Sequence, residues 1–257
     1  MNVAVIFAGG VGKRMNSRVK PKQFLDMWGK PIIIYTLEVF ERHDEIDAIV
    51  IACVPEWIEY LRLLITQYQI TKVREIVPGG QTGQQSIYHG LRAAQNLQAA
   101  AAEGKEMIVL IHDGVRPLID EKTITENIQS VKKHGSAITT VPVQETILVV
   151  DRENKIVEVP ERVNSRMARA PQSFYLRDVL EAHESALRDG RTDYIDSCTL
   201  MQHYGYRMYL VDGPKENIKI TTPEDFYTMR ALLDARENSQ IYGMDGTGDA
   251  ICQGFRE

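Results

Sequence analysis

Four short strand-like runs, three of them almost wholly apolar, alternate with stretches of helical period through the first half of the chain. Val3–Phe7 (VAVIF), Asp47–Val54, Lys72–Val77 and Met107–Ile111 read as strands, and Pro31–Arg42, Glu56–Gln67, Gln85–Ala102 and Glu121–His134 as helices. Three of them, Val3–Phe7, Asp47–Val54 and Met107–Ile111, are almost continuously apolar and so have no wet face, which predicts an α/β fold, a mostly parallel sheet with helices on both sides. Right-handed crossovers then gather the strand C-termini along one edge, where ligands of such sheets bind.

The alternation breaks after Gly135. AITTVPVQETILVV, the polar turn Asp151-Arg152-Glu153-Asn154 and KIVEVP read as the two strands of a projecting β-hairpin arm at about 136–160. A protruding hairpin has open edges that aggregate or pair with a partner, which favours contact between subunits; the alternative is an edge ribbon folded against its own domain. Beyond it, helices are expected near Leu176–Leu187 and Ile195–Tyr204, a strand at Arg207–Val211, and a last helix from Pro223 to about Arg236. No internal repeat or low-complexity linker intervenes, so one domain over 1–236 with an inserted hairpin is the simplest account. The stretch 237–257 carries four of the 18 glycines and little apolar period, and reads as a tail, either a flexible end or a lid.

Composition narrows the function classes. The 257 residues hold 30 Lys+Arg against 35 Asp+Glu, a formal net charge of −5, with no basic tract; nucleic acid is not an expected partner. No apolar run approaches the roughly 20 residues of a membrane span. MNVAVIFAGG has neither the charged region nor the cleavage site of a signal peptide, so a cytoplasmic setting and no membrane partner are expected. Cys53, Cys198 and Cys252 stand apart with no CxxC, and the 6 histidines form no HExxH or other close ligand pair, so neither a disulfide framework nor a zinc knuckle is indicated.

The loop after the first strand carries the strongest chemical signal: Ala8-Gly9-Gly10-Val11-Gly12-Lys13-Arg14-Met15, then Pro21-Lys22-Gln23-Phe24. Glycines directly after a parallel strand let backbone N–H groups approach a phosphate closely. Lys13, Arg14 and Lys22 suit a polyanion. Two standard phosphate loops fail. A Walker loop needs Ser or Thr after Gly12-Lys13, where Arg14 stands, and a dinucleotide fingerprint starting at Gly10 needs a third glycine at Met15.

AGGVGKRM…PKQF resembles the glycine-rich signature of the CTP-dependent cytidylyltransferases that make CDP-methylerythritol and CDP-ribitol. Further landmarks follow in that family's order: Pro78-Gly79-Gly80 with Ser86 resembles its GG…S segment, His112-Asp113-Gly114-Val115-Arg116-Pro117 its HDxxRP motif, Pro171-Gln172-Ser173-Phe174 its TPQxF, and Asn217-Ile218-Lys219-Ile220-Thr221 its N[IL]K[IV]T element. The resemblance runs from about Val3 to Ala235. It implies a Rossmann-like nucleotidyltransferase domain, a homodimer with exchanged hairpin arms, and Mg2+-dependent transfer of CMP from CTP to a polyol phosphate with release of pyrophosphate.

By the same resemblance, Arg14 and Lys22 match the basic pair on the triphosphate and Lys219 the lysine near the reacting phosphate. Ala8, Gly9, Gly10, Gly12, Gly80 and Ser86 match the cytidine site. Asp113 and Arg116 match the groups around the acceptor, and Arg162 the arm arginine that reaches the acceptor phosphate from the neighbouring subunit. His112 reads as a structural residue beneath the loop, not a general base. Four positions depart from the pattern: Gln81 and Gly83 replace an acid and an arginine, and Ala170 and Ile195 replace two threonines. Val115, Trp57 and Pro160-Glu161-Arg162 resemble the ribitol branch, which favours D-ribitol 5-phosphate as acceptor, with 2-C-methyl-D-erythritol 4-phosphate as the alternative. A nucleotide-sensing paralogue that kept only the fold would be expected to lose Arg14, Lys22 or Lys219, and all three are present.

Overall fold

A computed structural model describes residues 1–9, 20–100 and 106–242. In chain order its elements are β1 (Asn2–Ala8), β2 (Asp26–Met27), β3 (Lys30–Pro31), α1 (Ile32–Arg42), β4 (Ala48–Cys53), α2 (Ile58–Gln67), β5 (Val73–Pro78), α3 (Gly83–Ala100) and β6 (Ile108–Asp113). Then come α4 (Glu121–His134), β7 (Ser136–Pro142), β8 (Val149–Val150), β9 (Ile156–Glu158), β10 (Arg166–Tyr175), α5 (Leu176–Arg188), α6 (Ser197–His203), β11 (Leu210–Asp212) and α7 (Pro223–Tyr242).

Among the described residues seven strands form one sheet in the order β11-β7-β10-β6-β1-β4-β5. β1 runs parallel to β4 and β6, β4 to β5, and β11 to β7; β10 is antiparallel to both its neighbours, β6 and β7. Period-two alternation splits each inner strand between two cores. On β1, Ala4, Ile6 and Ala8 face Leu37 and Phe40 of α1, Leu61 of α2 and Ile128 of α4. Val3 and Val5 face Leu91 of α3, Val179 of α5 and Leu200 of α6 on the other side. Gly90 lets α3 lie close on the sheet, because a Cβ there would sit 2.6 Å from Val5 Cγ1. A smaller cluster of Met27, Ile32, Val115, Leu118, Ile220 and Met229 ties α7 to the loop after β6.

Local signals set the helix limits. Asp120 caps α4 by accepting the Thr123 N–H at 2.7 Å, and Gly135, at φ +86°, ends it. Pro31 stands just before α1, where no N–H is required of it.

The structure redraws the region after Gly135. Ser136–Pro142, expected as the first half of the arm, is β7, almost wholly buried in the main sheet. The separate hairpin pairs β8 with β9 and is exposed. β10, which no sequence signal marks as a sheet strand, lies between β6 and β7. Its polar residues are tolerated because they find partners inside: Asn127 donates from Nδ2 to Thr139 Oγ1 at 2.9 Å and accepts from Ser173 Oγ at 2.8 Å. The strand expected at Arg207–Val211 is shifted to Leu210–Asp212. α7 continues through the first residues of the expected tail, and the rest, 243–257, lies outside the described residues.

Candidate active site

The ends of β1, β5 and β6 lie at one edge of the sheet, as parallel topology requires. Backbone hydrogen bonds tie these exits to their neighbours: Gly79 N–H after β5 donates to the carbonyl of Cys53 at the end of β4 at 2.7 Å, and Gly114 N–H after β6 to that of Phe7 in β1 at 3.1 Å. Gln23, buried in the one-turn helix Lys22–Phe24, donates from Nε2 to the Ala8 carbonyl at 2.6 Å and braces the first exit. Ser86 near the start of α3 accepts Gly80 N–H at 3.0 Å and donates to the Thr82 carbonyl at 3.0 Å. Gly9 has to be glycine here, because a Cβ would approach Ser86 Oγ to 2.7 Å. Ala8, Gly9, Lys22, Gly80 and Ser86 line an open cleft of about 490 Å³.

A second cleft of about 340 Å³ adjoins it, walled in part by Ile111, Arg116, Arg169, Gln172, Ile195 and Ser197. The two clefts share Phe7, Gly83, Asp113 and Lys219. At this junction Lys219 Nζ lies 2.5 Å from one Asp113 oxygen, and Arg116 Nε donates to the other at 2.7 Å. Arg116 also donates to the Asn217 carbonyl at 2.9 Å, and Asn217, fully buried, donates from Nδ2 to the Ala170 carbonyl at 2.8 Å. Lys22 Nζ donates to the Ile220 carbonyl at 2.8 Å. The segment 217–220 is thus stitched to both the one-turn helix Lys22–Phe24 and β10.

Electrostatics give each group a protonation state. Burial by itself would raise the Asp113 pKa, but the Lys219 and Arg116 charges outweigh it and hold the carboxyl well below the usual range. Asp113 is therefore a fixed anion that orients two cations, not a proton acceptor at neutral pH. His112 is fully buried, with Nε2 3.1 Å from the Arg116 carbonyl; burial brings its pKa down to about 4, so the imidazole is neutral and structural.

Ala8, Gly9, Lys22, Gly80, Ser86, Asp113, Arg116 and Lys219 thus lie around one pair of clefts. Gly10, Gly12, Lys13 and Arg14 lie outside the described residues. Arg162 is exposed in a one-turn helix, Arg162–Asn164, and lines neither cleft of this chain. Gln81 and Gly83 line the first cleft, where Gln81 N–H donates to Gln85 Oε1 at 2.8 Å. Ala170 is buried in the wall of the second, and Ile195 is 89% exposed at it. Sequence reasoning missed the roles of Gln23 and Asn217, although both sit in the quoted PKQF and NIKIT motifs; buried amides inside a motif were the available signal. Arg169, Asp196 and Ser197 had no such signal. Among the described residues no group of three His, Cys, Asp or Glu is arranged to hold a metal ion, and no helix is long and apolar enough to cross a membrane.

The family model described as IspD, 2-C-methyl-D-erythritol 4-phosphate cytidylyltransferase, matches residues 2–235. A ribitol-5-phosphate cytidylyltransferase of Streptococcus agalactiae serotype V is 54% identical over 244 residues, covering 95% of this chain and 100% of that protein. A 2-C-methyl-D-erythritol 4-phosphate cytidylyltransferase of Clostridium botulinum is 36% identical over 234 residues, covering 91% of this chain and 97% of its own. Among solved structures, 4-diphosphocytidyl-2C-methyl-D-erythritol synthase from Anaerococcus prevotii superposes with a TM-score of 0.77 at 26% identity, over 91% of this chain and 96% of that one.

Proposed function

The chain belongs to the 2-C-methyl-D-erythritol 4-phosphate cytidylyltransferase family, and we propose that it transfers CMP from CTP to D-ribitol 5-phosphate, releasing pyrophosphate and forming CDP-ribitol. One observation carries the chemistry: a cleft walled in part by Gly9, Gly80 and Gly83 and a second cleft that holds Arg116 and Arg169 meet at Asp113 and Lys219. Two substrates bound there, one in each, would touch at that junction. The higher identity to the ribitol-5-phosphate enzyme, 54% against 36% for the methylerythritol relative, favours ribitol phosphate.

The reaction is an in-line displacement at the α-phosphorus of CTP. An oxygen of the acceptor phosphate forms the new P–O bond, and the bond to the β-phosphate oxygen breaks as pyrophosphate leaves. The acceptor phosphate is already largely dianionic near pH 7, so no protein base is needed. What the protein supplies is position and positive charge. Lys22 and Arg14 hold the triphosphate, and Lys219, aimed by Asp113, meets the charge that develops on the transferred phosphoryl group. Ala8, Gly9, Gly80 and Ser86 frame the cytosine through backbone groups and one hydroxyl; Gly10 and Gly12 continue that loop. Asp113 and Arg116 orient the acceptor.

Mg2+ enters with the nucleotide. The junction offers it one carboxylate already held by two cations, whereas Mg2+ readily rides on phosphate oxygens with several waters. Bound with CTP as part of the substrate, the ion would neutralise phosphate charge, and Asp113 is the carboxylate that would face it. The exposed arm residues Leu148, Val150, Ile156, Val157, Val159 and Val163 favour a homodimer in which each arm packs on the partner and Arg162 enters the neighbouring site. The reaction is placed in the cytoplasm, where CTP is available. A pyrophosphate-release assay over four nucleoside triphosphates and both polyol phosphates tests the reading. CTP with ribitol 5-phosphate should give the highest kcat/KM. A tenfold preference for 2-C-methyl-D-erythritol 4-phosphate, about 1.4 kcal/mol in transition-state binding, would refute the acceptor assignment.

A further inference from the structure

β10 leaves its ladder at the wall of the second cleft. Its register to β7 shifts between Ala168 and Gln172, and Pro171 has no N–H to give, so Arg169 and Ala170 stand outside the strand pairing. Arg169 lines the cleft with its Nε buried and without a hydrogen-bond partner, and it makes no ion pair among the described residues. Neither carboxylate of the cleft pairs with it. Asp113 is held by Arg116 and Lys219, and Asp196 accepts from Thr199 at Oδ1 and from Gln172 at Oδ2. Ser197 Oγ, in the same wall, is also buried and unpartnered. Burial and the charge of Arg116 both lower the Arg169 pKa, which marks a cation held without compensation.

Buried donors left without acceptors are unfavourable unless a ligand supplies them. The acceptor's phosphate end has to lie at the junction with Lys219 for the transfer to occur. Arg169 and Ser197 line the second cleft and not the nucleotide cleft, so they face the polyol end. D-ribitol 5-phosphate has one hydroxyl more than 2-C-methyl-D-erythritol 4-phosphate and no methyl branch. We propose that Arg169 and Ser197 form a hydroxyl-reading subsite that selects the unbranched five-carbon polyol over the methyl-branched one. The inference rests on the reaction proposed above. A methyl group placed against these donors would leave them unpaired, and sites built to hydrogen-bond a hydroxyl reject analogues that lack it.

The test compares kcat/KM for both acceptors, at saturating CTP, in wild type, Arg169→Met and Ser197→Ala. The ratio of ribitol phosphate to methylerythritol phosphate should fall roughly 10- to 100-fold in Arg169→Met and about tenfold in Ser197→Ala, with KM for CTP unchanged. Equal losses with both acceptors would overturn the proposal and assign Arg169 to the phosphate they share. An unchanged ratio in both variants would overturn it as well. If Arg169→Met fails to fold, Ser197→Ala carries the same comparison. Wild type that makes no CDP-ribitol refutes the proposed reaction and this inference with it; wild type that makes it, with variants of unaltered selectivity, refutes this inference alone.

Discussion

Acid should weaken this fold well above the pH at which its carboxylates protonate, through two buried histidines. His183 in α5 is stacked on Tyr88 at 5.8 Å with neither ring nitrogen hydrogen-bonded, and His112 in β6 leaves Nδ1 without a partner. Burial lowers both from 6.5 to about 4. Between those two pH values the unfolded chain binds more protons than the native one, so stability falls as pH falls through that window and is restored above 6.5. At pH 5 the loss relative to pH 8 is about 2 kcal/mol per histidine, a large part of a typical stability of roughly 5–15 kcal/mol. Urea unfolding at pH 8 and pH 5 measures it in wild type and in His183→Leu. The variant's loss between the two pH values should be smaller by about 2 kcal/mol, a double difference in which all other titrating groups cancel. Identical losses in the two proteins would show that His183 titrates normally in the native state and would refute the argument.

Gly9→Ala places a Cβ 2.7 Å from Ser86 Oγ and should raise KM for CTP at least about tenfold, read in steady-state kinetics; an unchanged KM would remove Gly9 from the nucleotide cleft. Lys22→Ala should lower kcat far more than it raises KM, because a lysine on the triphosphate also meets the charge that builds on the departing pyrophosphate and so acts mainly in the transition state; a change confined to KM would sink that role. Mixing Arg162→Ala chains with Lys22→Ala chains should restore part of the activity lost in each, since one composite site of the heterodimer regains both residues. Heterodimers that form without recovering activity would rule out a site shared through the arm.

Much of this protein is legible along the chain because the relevant physics is local. The apolar runs of β1, β4 and β6 announce a sheet buried on both faces, and Asp120 and Gly135 mark the ends of α4 by their own side-chain and backbone preferences. The motifs around Gly9, Ser86, Asp113 and Lys219 are each contiguous, so residues that the fold gathers around the two clefts could be named along the chain. Long-range pairing is a different matter. β7 and β10 are core strands although they carry Thr139, Gln172 and Ser173, and they are buried only because Asn127 and Asp196 from other elements satisfy those groups. The same holds at the site. Asp113 is an ionised anchor because Lys219 and Arg116 converge on it, and Asn217 links that anchor to β10. Arg169 and Ser197 gain their meaning from what the fold leaves unpaired in a cleft, a property of the assembled neighbourhood that the order of residues does not contain.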